Sequence, residues 1–371
     1  MNHITARTIN EAVFKEIDKI VMEGYRTPSR NGDISTIYNV FLELENPKSR
    51  HLYLEGRKNN IFATIAETFW VFSGDDKIDP VLSFFLPRAK DFSDDGKTWR
   101  GAYGPRFYLD NMLEDVIQQF KNEGIFTRRA VLSIFRPDLD THTNLKNIYN
   151  LENTKDRPCN LIMDFFVTPD KKFHMNLKQR SGDVLWGHGS INIFEFTFLQ
   201  EMMLEAINEE LEEDLTLGTY NHHVTNLHLY DFSGSQGYAV LENRLKQKLG
   251  VQSFKPLILS NNIYDNKKLF ELLMDQYGLF IETKETNFEL MMDSIEVILG
   301  TFNLEYEDYL IFQYAKIVTA YIAAKNMNLD KGVKTDKIKV YLHHPDEEFY
   351  YSILKSPFRK FLISKNGENW E

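Results

Sequence analysis

An α+β fold with a helical C-terminal part is the class this sequence predicts. Segments alternating apolar and polar residues occur repeatedly before residue 230, interleaved with stretches of helical period. After about residue 250 the alternation stops and helical patterns follow one another.

Taken in order, residues 8–23 place Ile9, Ala12, Val13, Ile17, Ile20 and Val21 at helical spacing, and Gly24 ends the pattern. YNVFLELE (38–45) alternates as a strand does, and IFATIAETFWVFSG (61–74) reads as a buried helix stopped by glycine. In LDNMLEDVIQQFKNEG (109–124), Leu109, Met112, Leu113, Val116, Ile117 and Phe120 share one helical face. RAVLSIF, NLIMDFFV and KFHMNLKQ read as strands, the last two joined by TPDKK as a hairpin turn. Phe173, Met175 and Leu177 take its inward positions. INIFEFTFLQEMMLEAINEEL (191–211) is apolar over much of its surface and reads as a central core helix. HHVTNLHLY (222–230) reads as a further strand, and SGSQG (233–237) as a flexible turn rather than a phosphate cradle. KKLFELLMDQYG, ETNFELMMDSIEVILG and YEDYLIFQYAKIVTAYIAAKN complete the series as helices. Residues 1–250 are expected to form one unit and residues 251–371 a mainly helical extension.

Bulk properties exclude several classes. At 371 residues the chain can bury a large core, and no apolar run reaches the length of a membrane span. MNHITARTINEAVFKEIDKI is amphipathic and lacks the apolar centre of a secretion signal. The net charge of −11 argues against binding a nucleic-acid backbone, which needs a basic surface. A single cysteine, Cys159, allows no internal disulfide and suits a reducing cytoplasm. The His222–His223 and His343–His344 pairs are not expected to bind metal. Adjacent side chains on a strand point to opposite faces, and there is no second cysteine.

A lone cysteine is most simply a small apolar filler. KQRSGDVLWGHGSINIF, a little further along the chain, offers another role. Gln179, Arg180 and Ser181 end a strand, and an arginine partly buried there requires an anion. A phosphate suits its planar fork, and a cation beside Cys159 lowers the pKa of the thiol. An arginine facing solvent at a strand end is the plain alternative.

Cys159 after Pro158, the aromatic strand, and then QRS-x-D with Gly187 and Asn192 resemble the thymidylate synthase and pyrimidine hydroxymethylase family. ETFWVFSGD (67–75) is similar to the family's Glu-x-x-Trp-x-x-x-Gly-Asp helix end. DDGKTWRGAYGPRF (94–107) resembles its stretch with Tyr103 and Gly104, and TRRAVLSIF (127–135) its paired-arginine strand. LHLY (227–230) matches the His-x-Tyr element. These motifs keep the family's order across residues 26–230.

The resemblance implies a thymidylate synthase-like mixed sheet packed with helices, and a covalent mechanism. Cys159 as thiolate adds to carbon 6 of a pyrimidine nucleoside monophosphate, and carbon 5 then takes the one-carbon unit of 5,10-methylenetetrahydrofolate. Arg180, Ser181 and Arg30 are expected to hold the phosphate. Arg128 and Arg129 are expected to reach across from a partner subunit, which implies a homodimer. Gln179 also belongs to the implied nucleotide site. His228 and Tyr230 bind the sugar hydroxyl, Glu67 positions water and relays protons, and Tyr103 lines the base pocket. Asp183, Gly187 and Trp70 face the folate, and no metal is expected. Each residue has a plainer alternative: Glu67 as a solvated helix residue, Arg128 and Arg129 as an exposed pair, His228 and Tyr230 as ordinary strand alternation.

Asn192 bears on the base. A carboxamide donates one hydrogen bond and accepts another, matching uracil, whereas a carboxylate there would suit cytosine. GHGSIN is one residue longer than the family spacing from the glycine. Other departures bear on the product. Asn160 stands where methylating members carry histidine, Phe232 and Ser233 where they continue Asn-His, and DFSDDG (91–96) lacks a tryptophan before its glycine. In place of a short apolar tail, the chain continues through 251–371 and ends KNGENWE. A site without those shields admits water, so the expectation is hydroxymethylation of dUMP in the cytoplasm, as in some bacterial viruses. Thymidylate synthase comes second, then a dCMP or CMP hydroxymethylase, then a non-catalytic nucleotide-binding scaffold.

Overall fold

The computed structural model describes residues 2–328, 338–357, 359, 362 and 363, so the terminal KNGENWE lies outside the described residues. The main sheet is built from β1 (Asn2–Ala6), β2 (Tyr25–Thr27), β3 (Ile34–Leu44), β4 (Val131–Ser133), β5 (Asn160–Val167), β6 (Lys172–Gln179), β7 (Gly182–Asp183) and β8 (Thr216–Tyr230). Its order is β1-β3-β8-β6-β5-β4, with β2 beside β3 and β7 beside β8. The β1–β3 and β6–β8 pairs are parallel and the β3–β8, β5–β6 and β4–β5 pairs antiparallel, so the sheet is mixed.

Helices α1 (Ile9–Glu23), α2 (Ile61–Phe72), α3 (Val81–Phe85), α4 (Tyr103–Tyr108), α5 (Met112–Glu123), α6 (Pro137–Asp140), α7 (His142–Tyr149), α8 (Ile193–Leu211) and α9 (Asp231–Glu242) accompany it. Later come α10 (Ile263–Thr283), α11 (Phe288–Thr301), α12 (Leu310–Asn326) and α13 (Glu347–Leu354), with a parallel pair β9 (Ile338–Lys339) and β10 (Leu362–Ile363). No helix among the described residues is long and apolar enough to cross a membrane.

The β5–β6 hairpin forms where TPDKK predicts it, with Lys171 at positive φ in the turn. Phe173, Met175 and Leu177 point into the core, while His174, Asn176 and Lys178 face the other way. Between β6 and β8 runs α8, the crossover that a parallel pair requires. Its buried face carries Phe194, Phe198 and Met202.

Every residue of α2 is buried. On one side Phe72 stacks on Phe198 of α8 at 5.1 Å. On the other, Phe69 meets Phe270 of α10 at 5.1 Å and Phe62 stacks on Tyr321 of α12 at 5.3 Å. A helix so enclosed is apolar over most of its surface, with Thr64, Glu67 and Thr68 as its polar residues. The late helices therefore seal the outer side of a core helix, and one apolar cluster runs from Ile4 to Leu354.

Two local expectations fail, and one strand had no expectation. SGSQG is no turn but lies inside α9, where Ser233, Gly234 and Gly237 are buried. A Cβ at Gly237 would meet Leu229 Cδ2 at 2.8 Å, so small residues let this helix lie close to β8. Leu109 is not on the α5 face: Asp110 and Asn111 take positive φ, a short 3-10 turn precedes the helix, and Leu109 is exposed. Residues 2–6, ahead of the first helix, form β1, an edge strand whose alternation (Ile4, Ala6) is too short to read.

Candidate active site

Cys159 sits immediately before β5 and is half-buried. The Arg180 N–H donates to Cys159 O at 2.8 Å. Its guanidinium turns back along the same segment, donating from Nε to Pro158 O at 2.9 Å and from Nη2 to Arg157 O at 2.7 Å. From the loop before β3, Arg30 donates to Thr154 O and Lys155 O, each at 3.1 Å. Gly101 N donates to Asp156 Oδ2 at 2.8 Å, and a Cβ on Gly101 would strike that carboxylate. Two cations thus flank the cysteine and a fixed loop presents it, but Arg180 and Arg30 are both exposed, so the expectation of a partly buried arginine fails. Burial pushes the thiol up, Arg180 and Arg30 pull it down, and Asp156 adds to the rise. The arginine acts in the expected direction, but desolvation outweighs it.

Gln179 and Asn192 form the next layer. GHGSIN, the longer-than-usual stretch, closes as a π-helical turn from Gly187 to Asn192 running straight into α8. A π turn absorbs one added residue without breaking the helix it joins. Gln179 Nε2 donates to Asn192 Oδ1 at 2.8 Å, and Asn192 Nδ2 points to Glu195 Oε2 at 3.5 Å. Both carboxamides are buried.

Glu67 lies on α2 and is buried with it, so the solvated-residue alternative fails. Its Oε2 has no hydrogen-bond partner, and burial pushes its carboxyl up to about 8. Glu195, one turn into α8, is also buried. Its carboxyl is held well above the usual range by burial and by the charge of Glu67, with the Asn192 amide opposing. Like charges in a dry place cannot both ionise cheaply, so the pair favours keeping a proton. Burial likewise raises the Tyr103 phenol, with Cys159 and Glu195 as charged neighbours. Asn160 is fully buried against that phenol, and hydrogen bonding from it opposes the rise.

The remaining expected residues fall into three places. His228, on β8, is buried, bonds Asn226 Oδ1 at 3.1 Å, and is pushed down to about 4 by burial. Tyr230, two residues on, meets its ring edge-on at 4.9 Å. Asp183 pairs with His228 across β7 and β8, accepts from Leu185 N at 2.8 Å, and is raised to about 6 by burial. Half-buried Ser181 lies in the turn between Arg180 and β7, and Gly187 opens the π turn. Trp70 is buried, its Nε1 donating to Lys77 O at 2.9 Å and its ring edge-on to Trp99. Arg128 and Arg129 are exposed beside β4, and Arg129 pairs with Glu123 at 2.9 Å. No hydrogen bond or ion pair among the described residues joins those two to the surroundings of Cys159.

Sequence reasoning missed Glu195, Glu16, His188 and Arg57. Arg57 donates to Leu185 O at 3.0 Å and to Asn59 Oδ1 at 2.6 Å, and lies over the exposed Trp186 ring at 5.8 Å. The available signal was a charge inside an apolar run, Glu195 in INIFEF and Glu16 in VFKEI. His222 and His223 do face opposite ways, one buried and one half-buried. Among the described residues His51, Asp346 and Glu348 bring possible metal-ligand atoms within 4.8 Å of one another, where residues 49–51 meet α13.

Comparison with known proteins agrees with this geometry. The family model described as "Thymidylate synthase" matches residues 13–278. A protein of Delftia phage PhiW-14 named deoxyuridylate hydroxymethyltransferase is 35% identical over 366 residues, 98% of each chain. Proteins of the same name from Pseudomonas phage M6 and Bacillus phage SP01 are 29% and 26% identical. The first covers 62% of this chain and 62% of its own length, the second 86% and 83%.

Proposed function

The chain belongs to the thymidylate synthase family, and we propose that it is a deoxyuridylate hydroxymethylase converting dUMP to 5-hydroxymethyl-dUMP. It is an enzyme of one-carbon transfer. The observation that carries the proposal is the placement of Cys159 between Arg180 and Arg30, with the Gln179–Asn192 amide pair held nearby.

In this reading Arg180, Arg30 and Ser181 take the phosphate, which replaces the backbone carbonyls as partner of the guanidinium groups. Its charge is close to Cys159, so the two arginines offset its effect on the thiolate. Cys159 Sγ bonds to carbon 6 and the electron pair moves to carbon 5, which Asn192 favours by donating to the ring carbonyl. Methylenetetrahydrofolate, when bound, supplies the carbon unit. Asp183, Gly187 and the Trp70 wall are assigned to it. The half-buried Asp183 carboxyl and the exposed Trp186 ring fit a flat heterocycle with N–H donors.

Once carbon 5 has given up its proton, the bond between the transferred carbon and the folate nitrogen would break, tetrahydrofolate leaving with the electron pair, and the exocyclic carbon would then be electrophilic. One proton shared between Glu67 and Glu195 leaves an acceptor for the proton of an attacking water. Asn160, buried beside the Tyr103 phenol, is assigned with that phenol to hold the attacking water. Water oxygen bonds to carbon, its proton passes to the carboxyl pair, and Cys159 is expelled. His228 and Tyr230 take the sugar hydroxyl.

A homodimer belongs to the proposal. The sheet face turned away from the helices mixes Phe41, Ile162 and Phe166 with His223, Lys178 and Asn176, an amphipathic surface for a second copy, and the exposed Arg128 and Arg129 would reach that copy's phosphate. The enzyme would act in the cytoplasm of an infected host, as the phage relatives suggest. Within the extension, α10 and α12 serve as a helical cover for α2.

The test is tritium release from carbon-5-labelled dUMP together with dihydrofolate absorbance. The proposal expects release by wild type, none by Cys159→Ala, and no rise in dihydrofolate. A stoichiometric rise would move the assignment to thymidylate synthase; intact binding without any release would leave a scaffold.

A further inference from the structure

His188 lies within the π turn that lengthens this site, fully buried, and its two ring nitrogens meet different partners. Nε2 is 2.9 Å from Glu16 Oε1, and Nδ1 is 3.2 Å from Gln179 Oε1. Glu16 is itself fully buried on the otherwise mainly apolar face of α1. The room is built for this ring. A Cβ on Gly182 would meet His188 Cβ at 2.9 Å, and one on Gly189 would strike Val184 O. Four buried groups therefore stand in series from α1 to the base pocket: Glu16, His188, Gln179 and Asn192, with Glu195 beyond.

Hydrogen-bond roles fix the polarity of such a series. With Glu16 as a carboxylate and Gln179 presenting its oxygen, both partners accept, so both His188 nitrogens donate. Gln179 then has only its NH₂ to offer Asn192, and Asn192 must answer with Oδ1. The free edge of Asn192 keeps one acceptor lone pair and one N–H, in the order that matches the ring N–H and carbonyl of uracil. With His188 singly protonated on Nε2, which still faces the carboxylate, Nδ1 accepts and Gln179 turns over. Asn192 turns in response, and its free edge then suits the ring nitrogen and amino group of cytosine. His222, whose ring is 4.5 Å from His188, is held neutral by burial, and Tyr220 OH bonds His222 Nδ1 at 2.9 Å. Neither adds a charge that competes with Glu16.

We infer that the Glu16–His188 pair is a positioning device that locks Asn192 in the uracil-reading orientation. This rests on the reading of the site as a pyrimidine-nucleotide pocket and goes beyond it by naming what sets base choice. Neither residue touches the base.

The test compares kcat/KM for dUMP and dCMP in the full-length enzyme, wild type against Glu16→Gln, with methylenetetrahydrofolate present. The lock predicts that the dUMP:dCMP ratio falls about tenfold or more in E16Q, through a higher KM for dUMP and the appearance of dCMP turnover. The double variant E16Q/H188L, which leaves no buried charge behind, should lose the preference as well. In ¹⁵N spectra of the His188 ring, both nitrogens should carry hydrogen in wild type and one in E16Q. A folded E16Q with an unchanged ratio and two protonated ring nitrogens overturns the lock alone. A wild type that turns over neither nucleotide removes the pocket reading too.

Discussion

Gln179 donates its amide hydrogen to Asn192 Oδ1 at 2.8 Å, so the side chain assigned to read the base is held by a second amide rather than by the backbone. Replacing Asn192 with Asp puts a pure acceptor on the free edge. Asn192→Asp is expected to lower dUMP turnover about 100-fold or more and to raise dCMP turnover above wild type, measured as kcat/KM for each. Loss of both activities in a folded variant would deny Asn192 this role.

Glu67 carries a carboxyl pushed up to about 8 by burial, which is a statement about stability as well as chemistry. The folded state holds a proton that the unfolded chain releases near pH 4.5, so stability falls as pH rises from there to about 8 and then levels. Glu67→Gln keeps the shape and never ionises. Its melting temperature should exceed wild type by about 2 °C or more at pH 8 and match it near pH 4, while kcat drops about 100-fold or more. A variant less stable than wild type at pH 8 would contradict the burial argument.

Arg180 opposes the desolvation of Cys159. Arg180→Leu should leave the thiol more protonated, slowing its alkylation at pH 8 by about threefold to tenfold. The same variant should weaken dUMP binding far more than uridine binding, because the phosphate loses its fork. Equal effects on the nucleotide and the nucleoside would place the arginine elsewhere.

Phe270 closes the outer side of α2 against Phe69. Phe270→Ala should cost about 3–5 kcal/mol by chemical denaturation, as for other buried aromatics. If the cavity admits water, the alkaline limb of the kcat profile moves to lower pH, since desolvation is the cause of the high Glu67 value. A stability loss below 1 kcal/mol would show that α10 does not seal the core.

Much of this architecture was legible in the residues themselves. NLIMDFFV and KFHMNLKQ match β5 and β6 residue for residue, because a hairpin is local and its alternation is clean. Cys159, Gln179, Arg180 and Asn192 are brought together because strand ends and a helix start converge there. Glu16 and His188 were not legible: their contact spans 172 positions, and nothing in VFKEI announces a histidine partner. Glu195 was hidden in an apolar helix that read as core. SGSQG misled because glycine and serine mark turns in isolation, whereas here close packing on Leu229 selects them.

The most direct measurement is the mass of the product formed from dUMP and methylenetetrahydrofolate by the full-length protein. The account predicts a nucleotide one oxygen heavier than thymidylate, and none when Cys159 is alanine. Thymidylate as the product, or 5-hydroxymethyl-dUMP still formed by the alanine variant, would contradict it.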